Sequence, residues 1–444
     1  MNFDLSPEQQ QLQGRVYEFA QREVAPVAEQ LDRDGVFPTA LFKKLGDLGV
    51  MSIPFSEELG GMGLGVFDAV LALEEVARAD QSLAVSAMVS MATGLTVSRF
   101  GTRQQIDQWL PEIVTGQKMC AIAGTEPDAG SDTAGFKTRA KMVGNDRWSI
   151  SGEKAYITNA GTDISIFTLL LTVSSPPESP KKQYTLFLVP NESKGYERGE
   201  RYRKLGWRSS DTRPLYFDSC EISADNVVGE VHRGRYLLHR GYQAARLFLA
   251  ACSLGLAQAS LDHAIKYAQE RQAFGGSLGR LQLIQEMIAD MAMEVDTARL
   301  ATYRAAWGVD QGRDNLKELS MAKYLATEAG TKCADKAIQV HGGFGYMEDC
   351  PVSRYYRDNR VCTIGDGSSQ IQKLLIAASP CASVAKVLLS LSVGAAVVEN
   401  RTQSTSSFSY SLNTSGKCTS MPSEHPNRTP STSKVRGAEP GAYM

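Results

Sequence analysis

The stretch TIGDGSSQIQ (363–372) sets one carboxylate, Asp366, between two glycines. Gly tolerates positive φ and Asp bonds its own backbone, so this triplet makes a turn on local grounds alone. A carboxylate held in such a turn can also take a proton from a bound molecule if burial lifts its pKa toward neutrality. Two further segments carry chemistry. AIAGTEPDAGSDTAGFKTRA (121–140) joins a Thr-Glu-Pro turn to Gly-Ser-Asp, exposing backbone N–H groups and small hydroxyls that suit a phosphate or a polar ring. In SGEKAYITNAG (151–161), strand alternation places Tyr156 and Thr158 on one face, an aromatic surface beside a hydroxyl. A cross-strand packing pair would give the same pattern.

Positioning these residues requires more than one core, because 444 residues call for two or three packed units. Residues 1–119 read as helices. Ser6, Pro7 and Gln9 supply an N-cap, a first-turn proline and a capping-box partner, and apolar residues recur at helical spacing through Leu12, Val16, Phe19, Ala20 and Val24. Residues 120–233 change texture: short β-branched runs at 148–150, 155–158, 164–173, 184–189 and 214–217 are divided by Gly144-Asn145, Pro176-Pro177 and Pro190-Asn191. Residues 234–378 return to long amphipathic helices, at 236–272, 281–307 and 316–340, which suggest an antiparallel bundle. Helices, then strands, then helices give an α+β architecture, neither a Rossmann fold nor a β/α barrel. Residues 379–444 grow rich in Ser, Thr, Pro, Gly and Asn and read as a disordered tail or an end without function.

Bulk properties exclude several classes. A formal net charge of -2 gives no electrostatic reason for nucleic acid or an anionic membrane as partner. The 8 cysteines form no CxxC pair and the 5 histidines no metal-ligand spacing, so reduced thiols in a cytoplasm are expected, without a disulfide framework or a metal. No signal peptide, transit peptide or membrane span is apparent.

Together with KLGWRSSDT (204–212), RQAFG (271–275), QVHGGFGY (339–346) and YYRDNR (355–360), the three segments resemble the acyl-CoA dehydrogenase family, in the family's order, over about residues 3–377. The resemblance implies an N-terminal helical domain, a middle β-sandwich or barrel domain and a C-terminal four-helix bundle. It further implies FAD, a homotetramer, an acyl-CoA substrate and electron-transferring flavoprotein as acceptor. Carried over by motif, Ile122, Thr125, Ser131, Tyr156 and Thr158 flank the flavin ring. Tyr156 stands where many relatives have Trp. Arg271, Phe274, Gln282, Gln339, Gly342 and Gly343 hold the pyrophosphate and adenosine of a neighbouring subunit's FAD, with Ser368 and Gln370. Ser131, Gln243, Arg246 and Gly367 approach the substrate. A guanidinium fork at Arg271 suits a diphosphate.

The resemblance also makes Asp366 the base that removes the α-proton of the thioester. Most relatives have Glu there, and the alternative base position on the long helix is Ala245, which cannot accept a proton. Asp is one methylene shorter than Glu. Gly365 replaces a pocket-lining Tyr, and Gly124 a larger apolar residue. A retracted base and an emptied wall imply a bulky acyl group, cyclohexane-1-carboxyl-CoA being the example among relatives with Asp. The segment VSMAT (89–93) lacks the Asp that relatives acting on the cyclohexene ester carry. Short- or branched-chain acyl-CoA, a nitroalkane-oxidase-like oxidase and a non-catalytic flavin-binding relative remain the alternatives.

Overall fold

The computed structural model describes residues 4–378; the expected tail at 379–444 lies outside them. Helices fill the first part: α1 (Pro7–Phe19), α2 (Ala25–Asp34), α3 (Thr39–Asp47), α4 (Val66–Ala79), α5 (Gln81–Phe100), α6 (Arg103–Trp109) and α7 (Pro111–Val114). Ser6 caps α1 as read: its Oγ accepts the Gln9 N–H at 3.2 Å, and the Gln9 side chain accepts the Ser6 N–H at 3.0 Å. The run through Val24 is not one regular helix. It passes into a π-helical stretch, Ala20–Val24, before α2, which has Pro26 in its first turn. Pro26 has no N–H to continue the α-helical ladder, so the turn widens there.

The middle part is one curled seven-stranded sheet, in the order β1-β4-β2-β3-β7-β6 with β5 on β4. Its strands are β1 (Met119–Ala123), β2 (Arg139–Val143), β3 (Arg147–Thr158), β4 (Ser165–Val173), β5 (Tyr184–Pro190), β6 (Tyr196–Arg198) and β7 (Thr212–Ser223). β1 runs parallel to β4, while β3–β7 and β4–β5 are antiparallel. β4 is covered on both faces, so almost all of it is buried, Thr168 and Thr172 included. The two runs expected at 148–150 and 155–158 belong to the single strand β3, bulged against β7 at Ile150/Gly152 and Lys154/Ile157. Gly152 sits at φ 135, and a Cβ there would meet Thr138 Cα at 2.7 Å, so the bend needs glycine.

The C-terminal part is α8 (Gly234–Glu270), the hairpin β8 (Gln272–Ala273) and β9 (Gly276–Ser277), then α9 (Gln282–Asp310), α10 (Leu316–His341), α11 (Pro351–Asn359) and α12 (Ser369–Ala378). α8, α9 and α10 pack together and α12 lies along α10, completing the four-helix bundle. α8 also packs on α4 and α5, so it is apolar on all sides through residues 247–252. α5 and α8 are long and apolar enough to cross a membrane, yet 72% and 89% of their most apolar windows are buried inside the protein, as in core helices.

One buried junction ties the three parts. The Trp207 N–H, in the turn before β7, donates to Asp358 Oδ1 at 2.6 Å, and its Nε1–H donates to Gln81 Oε1 at 2.9 Å. Arg357 clamps both oxygens of Asp32, at 3.2 and 2.6 Å. This junction fixes α11, and through it the loop that carries Asp366.

Candidate active site

Asp366 lies between the 3₁₀ turn Arg360–Thr363 and α12. Asp366 at φ 50 and Gly367 at φ 86 occupy the left-handed region in succession, which Asp tolerates better than most side chains. The loop is gripped by its carbonyls. Lys323 Nζ on α10 and Gln372 Nε2 on α12 each donate to Gly367 O at 2.8 Å, and Gln372 Nε2 also donates to Asp366 O at 3.3 Å. Turn and base are therefore compatible roles: the backbone makes the turn and the side chain is left over. Among the described residues, nothing donates a hydrogen bond to the Asp366 carboxylate, and nothing accepts one from its backbone N–H.

Burial pushes the Asp366 carboxyl above the usual carboxylate range, while Lys323 and Arg246 pull it back. The walls are thus not purely apolar. Lys323 is fully buried, and burial lowers it to about 8 against the opposing pull of Asp366. Arg246, 5% exposed, leaves its Nε without a hydrogen-bond partner. His239, Tyr242 and Arg246 recur at three- and four-residue spacing, one face of α8. Burial, then Arg246 and Arg235, drive the His239 ring down to about 3, so it is neutral at pH 7. Burial, then Asp366, raise the Tyr242 phenol, against the pull of Arg246.

The Thr-Glu-Pro turn after β1 is built around a buried ion pair. Lys154 Nζ donates to Glu126 Oε1 and to Gly124 O, both at 2.9 Å, and lies 4.6 Å from the Phe136 ring centroid. Glu126 also accepts the N–H groups of Lys137 at 2.5 Å and Thr138 at 3.0 Å. Burial lowers Lys154 to about 8 despite Glu126, whereas Glu126, although buried, is held below its usual value by Lys154 and these N–H groups. Ala155 N–H donates to Thr125 O at 3.0 Å, joining this turn to the 151–161 segment. Tyr156 stands on the bulge at φ 61 and is 64% exposed, its ring 5.3 Å from the Tyr202 ring; Thr158, two residues on in β3, is half-buried. Ile122 and Thr125 are half-buried and Ser131 is exposed.

A second cluster forms at the far end of α8. Arg271 ends that helix, Phe274 at φ 52 makes the turn of the β8–β9 hairpin, and Gln282 starts α9. The Tyr267 ring stacks on His341 at 4.3 Å and on Phe344 at 6.4 Å, bringing the Gln339–Gly342–Gly343 turn to the same end. Arg271, Phe274, Gln282, Gln339, Gly342 and Gly343 are all exposed. Among the described residues, no hydrogen bond or ring contact links this cluster to the Thr125–Thr158 segment. Ser368 is half-buried and Gln370 exposed, beside Asp366; Gln243 is half-buried on α8.

One expectation is corrected. The space facing Gly124 is not empty, because a Cβ there would meet Tyr242 Oη at 3.0 Å. Tyr242, Lys323, Gln372 and the Glu126–Lys154 pair were not anticipated as site residues. A lysine flanked by the buried Leu319, Ala322 and Ala326 was a readable signal for Lys323. Tyr242, one turn before Arg246, offered only its helical spacing.

The three-part helix–sheet–helix fold thus sets a half-buried carboxylate near two cations and leaves a glycine turn open to solvent, the layout of an enzyme with a base at its centre. Family models for the acyl-CoA dehydrogenase N-terminal, middle and C-terminal domains match residues 6–117, 121–220 and 232–380. The mitochondrial short-chain specific acyl-CoA dehydrogenase of Mus musculus is 40% identical over 375 residues, 84% of this chain and 90% of that protein. A probable acyl-CoA dehydrogenase of Bacillus subtilis is 38% identical over 378 residues, 85% and 99% of the two chains. The butyryl-CoA dehydrogenase structure from Megasphaera elsdenii has a TM-score of 0.82 at 29% identity, covering 85% of this chain and 99% of that one. A glutaryl-CoA dehydrogenase complexed with glutaryl-CoA gives 0.82 at 33% identity, covering 86% and 96%. This chain belongs to the acyl-CoA dehydrogenase family: it is an oxidoreductase acting on an acyl-CoA, and FAD is its cofactor. The residues fit that cofactor, since a Cβ at Gly342 or Gly343 would meet nothing within 4 Å and the turn is open to a diphosphate.

Proposed function

We propose that the chain removes hydrogen from the Cα–Cβ bond of a short acyl-CoA, with Asp366 as the base. The observation that carries this is the Asp366 carboxylate: half-buried, raised, under the influence of Arg246 and Lys323, and free of protein donors among the described residues. FAD, when bound, supplies the hydride acceptor for the β-carbon. Asp366 takes the α-proton, and its unpaired N–H donates to the thioester oxygen, where enolate charge develops. Lys323 and Gln372 hold the loop rigid, so this N–H is oriented before substrate arrives. Gly367, Gln243 and Ser131 border the path of the thioester arm.

For the cofactor, Ile122, Thr125, Ser131, Tyr156 and Thr158 flank the ring. Arg271, Phe274, Gln282, Gln339, Gly342 and Gly343, with Ser368 and Gln370, hold the pyrophosphate and adenosine from a neighbouring subunit. The separation of the two clusters within one chain supports such sharing in a homotetramer. So does the exposed stripe of Leu283, Met293, Leu300 and Trp307 on α9, at 70, 61, 49 and 47% accessibility. Electron-transferring flavoprotein in the cytoplasm is the proposed acceptor; the six described cysteines are all free thiols, in keeping with a reducing compartment.

The short-chain substrate rests on the relatives, named for short-chain, butyryl and glutaryl substrates. None of these names extends to a ring. An α-branched or cyclohexane-1-carboxyl group is a second reading, favoured by the space at Gly365, where a Cβ would meet only Val361 O at 3.7 Å. Anaerobic mixing of the holoenzyme with butyryl-, isobutyryl-, cyclohexane-1-carboxyl- and octanoyl-CoA tests both. Bleaching by butyryl-CoA supports the first reading, and a clear preference for the ring ester the second. Failure with every thioester ends both, and fast reoxidation by dioxygen would mark an oxidase instead.

A further inference from the structure

A cavity of about 460 Å³ lies between the N-terminal helices and the bundle, and none of its lining residues is assigned above to FAD or acyl-CoA. Its walls come from α1, α2, α4, α8 and α11, and the π-helical stretch Ala20–Val24 contributes Gln21. That volume suits a small organic molecule. The acidic groups lining it are already paired: Arg78 Nε and Nη2 donate to Asp262 Oδ2 at 2.9 and 2.5 Å, and Arg33 holds Glu29 at 2.7 Å. Two of the lining cations are not. Among the described residues, neither Lys266 nor Arg354 joins an ion pair. Arg354 is 7% exposed and donates through Nη2 to Ala79 O at 3.2 Å. A guanidinium carries five N–H groups, so most of its donor capacity is left. Asp80, Asp358 and Asp32 influence Arg354 without closing an ion pair, and burial pushes Asp80 and Asp358 toward their neutral forms. The other walls are apolar or aromatic. Ala25, Pro26, Ala259 and Pro351 line it, the Tyr17 ring lies 5.0 Å from the Arg78 guanidinium, and the Tyr355 ring meets His263 edge-on at 5.6 Å.

We propose that this cavity is a second binding site, for a small organic anion whose carboxylate or phosphate is received by Arg354 and Lys266 and whose apolar body lies against the aromatic and proline walls. The inference goes beyond the acyl-CoA reading and does not depend on it. Charge decides the class of ligand. A cation would meet only acids that Arg78 and Arg33 already hold, whereas an anion gives two unpaired cations their partner. Arg354 stands one turn before Asp358 on α11, so a bound anion braces the helix that leads to the Asp366 loop.

Titration calorimetry of the FAD-loaded full chain with benzoate, phenyl phosphate, benzamide and inorganic phosphate tests this. Benzoate or phenyl phosphate should bind once per chain, and the tighter of the two names the head group. Benzamide, of the same shape without the charge, should bind at least about tenfold more weakly, the worth of one charge-assisted hydrogen bond. Flavin absorbance should not change on binding, and the unfolding temperature should rise with anion concentration. Lys266→Met should weaken the anion about tenfold, and Lys266→Glu should abolish binding by reversing the charge. Arg354→Gln should weaken it further than Lys266→Met; if that variant fails to fold, the two changes at the exposed Lys266 decide alone. Equal affinity for benzamide and benzoate overturns the site, as do unchanged anion affinity in both Lys266 variants and no binding of either aromatic anion. A shifted flavin band would place the probe at the cofactor and overturns it too. Inorganic phosphate binding as tightly as phenyl phosphate overturns the organic body.

Discussion

Asp358 and Asp366 lie eight residues apart, the first buried and the second half-buried, both with carboxyls that burial pushes above the normal range. Their surroundings separate them. Asp358 accepts the Trp207 N–H at 2.6 Å and sits at the junction of the helical and sheet parts. The Asp366 side chain accepts nothing from the described residues and instead has the cations Arg246 and Lys323 within electrostatic reach. Burial alone therefore does not mark a reactive carboxylate. What differs is whether the oxygens are already occupied by donors that hold the fold together.

The largest expected break in this comparison comes from Asp366→Asn. It should slow flavin reduction by acyl-CoA about 10²–10⁴-fold, the usual worth of a general base, while FAD stays bound. Stopped-flow absorbance checks it, and an unchanged rate removes Asp366 from its role. Asp358→Ala should do the opposite. It orphans the Trp207 N–H and should lower unfolding free energy by about 1–3 kcal/mol in denaturant titrations, with little change in rate per bound flavin.

A smaller effect sharpens the electrostatic half. As pH rises, Asp366 ionises and kcat/KM should climb, along a limb displaced above the ordinary carboxylate range. Lys323 is the larger of the two influences lowering this carboxyl. Lys323→Met should thus move the limb to higher pH. A limb that stays in place would show that Lys323 acts only through its bond to Gly367 O.

The smallest effect concerns stability. Burial, then Asp80, push Asp358 up to about 7 from an ordinary 3.8. The folded state then holds this proton more tightly than the unfolded one. The stabilisation is complete below the unfolded value and fades as pH rises through about 7. Asp358→Asn keeps an acceptor for Trp207 and cannot ionise, so the pH dependence between these values should flatten. Equal slopes in variant and wild type would show that Asp358 does not titrate there.

Much of this was legible along the chain. The capping box at Ser6, the long α8 and α10, and the turn-forming Gly-Asp-Gly each follow from local spacing and residue type. The strand runs at 148–150 and 155–158 misled, because a bulge that joins two runs depends on the partner strand and on the close approach of Thr138 to Gly152. Lys323 stands out along the chain as a lysine in an apolar stripe, but its partner, the Gly367 carbonyl 44 residues on, is not legible there.

The amino-acid order determined the helix–strand–helix layout and the residue types fit for acid–base chemistry and diphosphate binding, since periodicity, caps and side-chain chemistry are local properties. Only the tertiary structure decided which carboxylate is left without donors, which cations flank it and which tyrosine fills the space beside Gly124. Those outcomes depend on atoms far apart in the chain meeting within a few ångströms, and no local spacing encodes such a meeting.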